Sequence, residues 1–302
     1  MLFRSSMSFA SSQPIAAVTL RETRNTQGEP LYTTLPVVNP DSSSNASFLV
    51  FPQIAAGGGY ATQLLLMNTG VDALKGRIQL TASDGLPLLV NVAGNTVADL
   101  AYEIPPLGVF RAELRGVSEK TNVGYAVVTS ESGTRLPAGS AIFQLRDAEG
   151  LVTEAGVGAT PTGSASRIYV DYAATQTGFA IANPGDLTAA ITLTLMDRWG
   201  GVRRILQQSL PARGHTARFV HELFPEIGNG FDGLLEIRST TPVAAITLKV
   251  TTNRLNRPVL TTLPVLDLSV ANTATTIFPH LAIGGGFSTS LIVLNQIGRA
   301  HV

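Results

Sequence analysis

The sequence predicts an all-β protein composed of tandem antiparallel β-sandwiches, and three observations lead to this prediction. Apolar and polar residues alternate along short segments such as 190–195 (AITLTL), which places Ile and Leu on one buried face of a strand. Turn-forming residues recur at intervals of about 8–12 residues, for example at Asp84-Gly85 and Asn183-Pro184-Gly185. Whole segments also repeat along the chain. About seven short strands in every ~110 residues are typical of a sandwich domain.

The clearest repeated segment starts with Phe-Pro and contains three consecutive glycines. It reads FLVFPQIAAGGGYATQLLLMNTG over 48–70 and TIFPHLAIGGGFSTSLIVLNQI over 276–297. Each copy continues into an alternating strand that ends at Asn68 or Asn295. Because a strand without Lys follows the glycines, rather than a helix, Gly57-Gly58-Gly59 indicates a tight turn with positive φ and not a phosphate-binding loop.

A weaker copy of this segment begins at Ile168. In that copy Gly178-Phe179 takes the place of Gly59-Tyr60, and Asn183 takes that of Asn68. The later parts of the two units also correspond, and the matched pairs are 77–85 with 190–200, 104–108 with 210–214, 124–128 with 233–237, and 141–146 with 244–249.

The two ends of the sequence extend the repeat. Residues 14–38 match 242–266 almost without gaps, so we expect them to be the closing strands of an earlier unit whose beginning is missing. This interpretation competes with a signal peptide, whose apolar centre would here be interrupted by several serines. At the other end, 297–302 (IGRAHV) match one reading frame of a common sequencing adapter, and we expect a read-through artefact there.

These matches predict an order of segments along the chain. We expect the C-terminal strands of a truncated preceding repeat at 1–39, a polar linker at 40–47, complete β-sandwich repeats at 48–164 and 165–269, the N-terminal strands of a truncated repeat at 270–296, and the artefact at 297–302. The partial repeats at the two ends would expose unpaired sandwich edges, so we expect self-association through them.

The composition excludes several classes of partner and chemistry. Lys and Arg number 21 and Asp and Glu number 21, so the formal net charge is zero and no basic field attracts nucleic acid. The chain has no Cys, which removes disulfides, thiolate catalysis and Cys-ligated metal sites. No apolar run reaches the ~18–20 residues that a membrane helix requires, so we predict no membrane insertion.

The histidines do not form a catalytic or metal-binding pattern. The one helical turn that we predict, 219–224 (FVHELF), is not a zinc-binding HExxH helix, because Pro225 stands where the second His would be. His280 takes the place of Gln53 in the first unit, and His215 takes that of Val109. We expect both of them, like His221, to be surface or partly packed residues.

The hydroxyl and carboxyl groups likewise predict no catalytic residues. No GxSxG nucleophile elbow occurs, and Glu222 and Glu226 are better explained as a solvated helical face than as an acid–base pair. Asp84, Asp197 and Asp232 lie in turns or beside glycine without a DxDxDG calcium loop, so turn formation is preferred and calcium binding is the alternative. We therefore predict no metal site and no cofactor.

Trp199 is the one residue that we single out for ligand binding. It lies in a predicted hairpin tip, MDRWGG, where the turn does not require a bulky indole. An exposed aromatic residue on a rigid scaffold offers a large amphipathic contact surface, which suits a glycan ligand. The alternative is that Trp199 covers a neighbouring domain.

The FP-x-x-A-x-GGG-aromatic-x-T-x-L-x-L-x-N frame, clearest at 48–70 and 276–296, resembles repeat modules of bacterial secreted and cell-surface proteins. Residues 165–186 depart from the frame by lacking both FP and GGG. The resemblance implies tandem immunoglobulin-like sandwiches in an extracellular or cell-surface location, and it assigns no active site.

Two functions follow from this resemblance as expectations. The first is a non-enzymatic spacer or adhesion region of a larger exported bacterial protein, with a surface glycan or protein as its partner. The alternative is a carbohydrate-binding accessory region of a secreted enzyme, in which Trp199 would contact the sugar.

Overall fold

The computed structural model describes residues 7–40, 46–132, 135–269 and 275–294, and it confirms an all-β chain with several antiparallel sheets. In chain order the strands are β1 (Thr19–Arg24), β2 (Pro30–Leu35), β3 (Phe48–Ala56), β4 (Tyr60–Met67), β5 (Leu74–Ala82), β6 (Val90–Val92), β7 (Asn95–Val97), β8 (Asp99–Ile104), β9 (Val109–Arg115), β10 (Asn122–Ser130), β11 (Ala138–Asp147), β12 (Gly150–Gly158), β13 (Gly163–Asp171), β14 (Thr175–Ala182), β15 (Ala189–Asp197), β16 (Val202–Leu210), β17 (His215–Phe219), β18 (Asp232–Thr252), β19 (Pro258–Leu263) and β20 (Leu266–Asp267). A short helix, α1 (Val220–Leu223), lies between β17 and β18 and confirms the helical turn predicted there. The segment 297–302 and most of the linker 40–47 lie outside the described residues.

Strands β3 to β12 form two sheets around one apolar core. One sheet has the strand order β3-β10-β5-β8, and the other has the order β12-β11-β4-β9, extended by the short β6–β7 hairpin. Strand β5 shows how the sequence alternation builds the core, because Ile78 and Leu80 are buried while Lys75 and Arg77 are exposed. The core contains side chains from both sheets.

Strands β13 to β20 form a second sandwich in which the corresponding strands have the same neighbours. One sheet has the order β13-β18-β15-β16, with β20 added beside β13. The other has the order β19-β18-β14-β17. A separate apolar core lies between these sheets. It includes Val220 of α1 and Phe224, which directly follows the helix.

The long strand β18 belongs to both sheets of the second sandwich. It has 21 residues, and its first part pairs with β13 and β15. Its last part, from Ala244 to Thr252, pairs with β14 and β19. In the first sandwich the corresponding strands β10 and β11 are separate elements joined by 131–137.

The sequence alignment of the two sandwiches needs one correction. Strands β4 and β14 are both eight residues long, and each ends immediately before the matched asparagine, Asn68 or Asn183. Thr175, and not Phe179, therefore takes the place of Tyr60. The predicted match of Gly178-Phe179 with Gly59-Tyr60 was wrong because Gly178-Phe179 lies inside a strand.

Two threonine hydroxyls support this corrected register. The Thr62 hydroxyl donates to the main-chain O of Ala55 at 2.9 Å, and the Thr177 hydroxyl donates to that of Asp171 at 3.2 Å. Each threonine is the third residue of its strand, so the two bonds join the same pair of positions. A turn without glycines connects β13 to β14, and this difference misled the alignment.

The glycine triplet of the first unit forms the predicted tight turn. Gly57, Gly58 and Gly59 have φ values of 92°, 58° and 87°, which residues with a side chain rarely adopt. The N–H groups of Gly57 and Tyr60 each donate to the other residue's carbonyl O at 2.9 Å, and strand β4 follows at once. The turn therefore connects two strands directly, as predicted.

The two sandwiches pack against each other, and the sheet β19-β18-β14-β17 of the second sandwich faces strands from both sheets of the first. In one cluster Val50 and Tyr125 of the first sandwich contact Ala182 and Ala244 of the second. A second cluster centres on Phe143, which meets strands β14 and β18. The small alanines allow the two sandwiches to approach each other closely.

Three hairpins from successive parts of the chain meet at one place, which we call the hairpin hub. They are β1–β2, β11–β12, and the last part of β18 with β19. The N–H of Thr26 donates to the carbonyl O of Leu151 at 3.1 Å, and the Asn253 amide donates to Glu29 at 3.1 Å. Arg257 forms an ion pair with Asp147. Each hairpin therefore contacts both of the others.

Strand β12 lies at the centre of the hairpin hub. The N–H of Gly156 donates to the Thr33 hydroxyl at 2.6 Å, and its carbonyl O accepts from the Thr262 hydroxyl at 2.7 Å. The buried carboxylate of Glu154 accepts from Arg21 at 3.0 Å and from the Thr23 hydroxyl at 2.6 Å. Strand β12 thus contacts both the hairpin before it and the hairpin after it.

The hairpin β1–β2 has the turn geometry of the hairpin β18–β19. In the first turn the Asn25 side-chain O accepts from two N–H groups, those of Gln27 and Glu29. In the second turn Asn253 accepts from the N–H groups at the same two spacings. This likeness agrees with the sequence match between 14–38 and 242–266.

The segment 275–294 carries the second glycine triplet and forms no strand. Gly284, Gly285 and Gly286 have φ values of 91°, 59° and 88°, which reproduce the first triplet. The Thr289 hydroxyl donates to the carbonyl O of Ala282 at 2.9 Å, which matches the bond of Thr62. The segment's apolar side chains are largely exposed.

Candidate functional site

Trp199 lies at the tip of the β15–β16 hairpin, as predicted. The carboxylate of Asp197 forms the turn by accepting from the N–H groups of Trp199 at 3.0 Å and Gly201 at 2.8 Å. These bonds, above all the one from Gly201, lower the pKa of Asp197 below its ordinary value. The indole takes no part in the turn, and 71% of Trp199 is exposed.

A cleft of about 500 Å³ lies directly beside this hairpin tip. Its walls come from β15, β16 and the loop between α1 and β18. The polar and aromatic side chains that line it are Asp197, Arg198, Trp199, Arg203, Glu226, Phe231 and Asp232. Two aromatic rings and five charged side chains therefore line one open cleft.

The charged groups of the cleft are arranged in pairs. Arg203 lies 2.9 Å from Asp197, and Arg198 lies 3.7 Å from Asp232. The Arg198 guanidinium also lies 5.5 Å from the centre of the Trp199 ring, within the range of a cation–π contact. Because each arginine has a carboxylate beside it, the cleft offers hydrogen-bond donors and acceptors with little net charge.

Such a surface fits a neutral, hydroxyl-rich ligand. Carboxylates accept from hydroxyls, guanidinium groups donate to them, and an aromatic face packs against the apolar side of a ring. Sequence reasoning identified Trp199 but missed Arg203 and Phe231. The ladder that pairs β15 with β16 and the loop that returns from α1 bring these residues together, and neither leaves a local pattern in the sequence.

The aspartates considered for calcium do not meet at one point. Asp84 accepts from the N–H of Leu86 at 3.0 Å in a turn of its own, and Asp197 holds the Trp199 turn. Asp232 lines the cleft beside Arg198. Within the described parts of the chain, no group of three or more His, Asp or Glu side chains could hold a metal ion.

Glu222 and Glu226 have different surroundings. The Glu222 carboxylate accepts from the N–H of Phe219 at 2.7 Å and so caps the start of α1. Glu226 lies 3.7 Å from Arg204 at the edge of the cleft. Both are exposed, as expected, but α1 ends at Leu223, so Glu226 lies outside the helix and the two do not share one helical face.

Of the three histidines considered above, two lie where we expected them. His221 is partly buried, and its Nδ1 shares a hydrogen bond with the Tyr172 hydroxyl at 3.0 Å. His280 is exposed. Neither lines the cleft.

His215 is the exception, because it is buried between the two sandwiches. Only 4% of it is exposed, so its assignment as a surface or partly packed residue was wrong. Its Nε2 lies 2.9 Å from the Gln53 side-chain O and its Nδ1 lies 2.9 Å from the Ser83 hydroxyl, both in the first sandwich. Its ring also stacks on that of Tyr125.

Burial controls the charge of His215. Desolvation lowers its pKa from 6.5 to about 4, so the imidazole is neutral at pH 7. In this form Nε2–H donates to Gln53. No signal in the sequence could reveal this role, because the contact depends on how one sandwich docks on the other.

No protein-family model matches the chain, and no curated protein matches its sequence. No helix in the described part of the chain is long and apolar enough to cross a membrane.

Proposed function

We propose that the chain is a non-enzymatic array of immunoglobulin-like β-sandwich repeats that serves as a spacer or adhesion region of a larger exported bacterial protein. One observation supports it most. The two sandwiches keep the same order of corresponding strands, whereas their tips differ. The first has the β6–β7 hairpin, and the second has the Trp199 hairpin and α1. A constant scaffold with variable tips suits a protein whose function is presented on its loops.

The likeness to immunoglobulin domains is in the inner strands. When the strands of a unit are counted without the short β6–β7 hairpin, the second pairs with the fifth and the third with the sixth, as B pairs with E and C with F in immunoglobulin domains. The outer strands are exchanged, because here the first strand pairs with the sixth and the seventh with the second. We therefore propose a variant of that fold family.

Surface location is the part of this proposal that a simple experiment can test. Intact cells of the source bacterium are treated with protease, and the chain is followed with an antibody beside a cytoplasmic control protein. We expect the chain to be cleaved while the control stays intact. Cleavage only after lysis would contradict the proposal.

The cleft beside Trp199 supports a second candidate, a carbohydrate-binding region of a secreted enzyme. The test is binding of the full chain and its Trp199→Ala variant to an array of neutral polysaccharides. We expect Trp199→Ala to lose about tenfold or more in affinity, the usual cost of removing an aromatic anchor.

Leu187→Ala is the matched control for this experiment. Leu187 is as exposed as Trp199 and lies outside the cleft, so its variant should bind like the native chain. Failure of the folded native chain to bind any glycan would exclude this second candidate and leave the spacer function in place.

A further inference from the structure

Strand β1 has an unused edge. It pairs with β2 on one side, and the described residues place no strand on its other side. In the second sandwich the corresponding strand, the last part of β18, has β19 on one side and β14 on the other. The edge of β1 thus corresponds to the edge that β14 occupies. Leu20 lies on this strand and is 54% exposed.

The segment 287–294 has the features of the strand that fills this position. Its sequence FSTSLIVL matches YATQLLLM of β4, which pairs with β11 in the first sandwich. The glycine turn before it and the Thr289 bond have the geometry found before β4. The segment is therefore preorganised to enter a sheet, while its own residues Leu291 and Val293 remain exposed.

The second sandwich supplies the register of such a pairing. There Thr175 pairs with Thr251 and Ala182 pairs with Ala244 in an antiparallel ladder. The equivalent positions in the two end segments place Phe287 opposite Thr23 and Leu294 opposite Ala16. Ser290 then lies opposite Leu20.

We propose that residues 287–294 of one copy of this chain add as a strand to the β1 edge of a second copy. In the chain's own fold the Phe287 ring lies against Tyr32 of β2, with ring centres 6.5 Å apart, and 287–294 form no ladder with β1. The edge is thus open to another molecule, and strand addition supplies main-chain hydrogen bonds along it. The two surfaces differ, so the contact is head-to-tail and extends into chains or rings.

This inference goes beyond the spacer and glycan-binding functions and does not depend on either of them. Its test uses the absence of cysteine in the native chain, because only introduced cysteines can then form disulfides. Full-length Leu20→Cys and Ser290→Cys variants, distinguishable by a size tag, are mixed under mild oxidation. We expect the disulfide-linked heterodimer to form faster than either homodimer.

Two controls decide the outcome. Val71→Cys, on an exposed loop of the first sandwich, replaces Ser290→Cys and measures random collision. A heterodimer that forms no faster than with Val71→Cys would overturn the proposal. The second control is a Leu20→Cys/Ser290→Cys double variant. If its disulfide forms only within one chain, the proposal is overturned, because the strand then pairs with β1 of the same molecule.

Sedimentation equilibrium of the native chain provides a measurement that needs no substitution. We expect the average mass of the native chain to rise with concentration. Val18 is exposed at the edge of the hairpin, so we expect Val18→Lys to reduce that rise without lowering the unfolding temperature. A native chain that remains monomeric at all concentrations would contradict the proposal.

Discussion

Asn68 and Asn183 make the same hydrogen bonds in the two sandwiches. The Asn68 amide donates to the carbonyl O of Asp72 at 2.7 Å and of Pro105 at 3.1 Å, and the Asn183 amide donates to those of Leu187 and Pro211. Both asparagines are buried. Asn68 connects the end of β4 to the turn before β9, and Asn183 connects the end of β14 to the turn before β17. The two sandwiches therefore share these hydrogen bonds as well as the matched residues of the sequence.

Replacing Asn183 with Asp should strongly destabilise the second sandwich. The substitution keeps the shape but turns a donor into a carboxylate that faces carbonyl oxygens, which leaves buried groups unsatisfied. We expect a loss of roughly 3 kcal/mol in the free energy of unfolding at pH 7, measured by urea titration. Asn229→Asp, at an exposed position, is the matched control and should have little effect.

The His215 junction should make stability depend on pH. The folded-state pKa of His215 is about 4 and the unfolded value is about 6.5, so between these values the unfolded state binds more protons. Stability is therefore complete above pH 6.5 and decreases as the pH falls towards 4, by roughly 3 kcal/mol at most.

His215→Val copies the residue found at the same position of the first sandwich, Val109. We expect the variant to lose this part of the pH dependence, as measured by unfolding temperatures of both proteins from pH 7.5 to 4 (a range chosen to span both pKa values). Carboxylates contribute equally to the two curves. Parallel curves for the two proteins would show that His215 does not titrate as proposed.

The two glycine triplets offer a matched pair of substitutions. Gly57 and Gly284 have φ values of 92° and 91°, so a Cβ meets the same backbone strain at both. At Gly57 that Cβ would overlap the main-chain O of Lys120, whereas at Gly284 no atom lies within 4 Å. We expect Gly57→Ala to lower the unfolding temperature more than Gly284→Ala does, because only Gly57→Ala adds the clash to the strain. Equal effects of the two substitutions would mean that the backbone near residue 57 moves and relieves the clash.

The buried Glu154 should determine how firmly β1–β2 is attached. Glu154→Gln weakens the bonds to Arg21 and Thr23 but leaves the sandwich core untouched. We expect faster amide hydrogen exchange in β1 and β2, corresponding to about 2 kcal/mol, with unchanged exchange in β14. The exposed Glu103→Gln is the control, and an equal change there would contradict a specific role of Glu154.

Local patterns of the sequence predicted the strands, the glycine turn, the helical turn and the hairpin tip at Trp199. These features depend on residues that are close in sequence, so alternation and turn chemistry suffice to find them. The match of Asn68 with Asn183 was also correct, because a buried amide with fixed partners tolerates little change.

Contacts between distant segments were not predictable in this way. The last six residues of β14 are all buried, so no alternation along this strand fixes its alignment with β4, and Gly178-Phe179 was consequently misplaced. His215 is buried because one sandwich docks on the other. Arg203 and Phe231 lie near Trp199 because of strand pairing and the loop after α1.

The continuity of β18 determines how the second sandwich would respond to tension. A force applied along the chain passes from one sheet to the other through a single strand, so neither sheet can peel away while the other stays intact. In the first sandwich β10 and β11 are separate strands, so no single strand passes from one sheet to the other there. Under load, the first sandwich should therefore yield before the second.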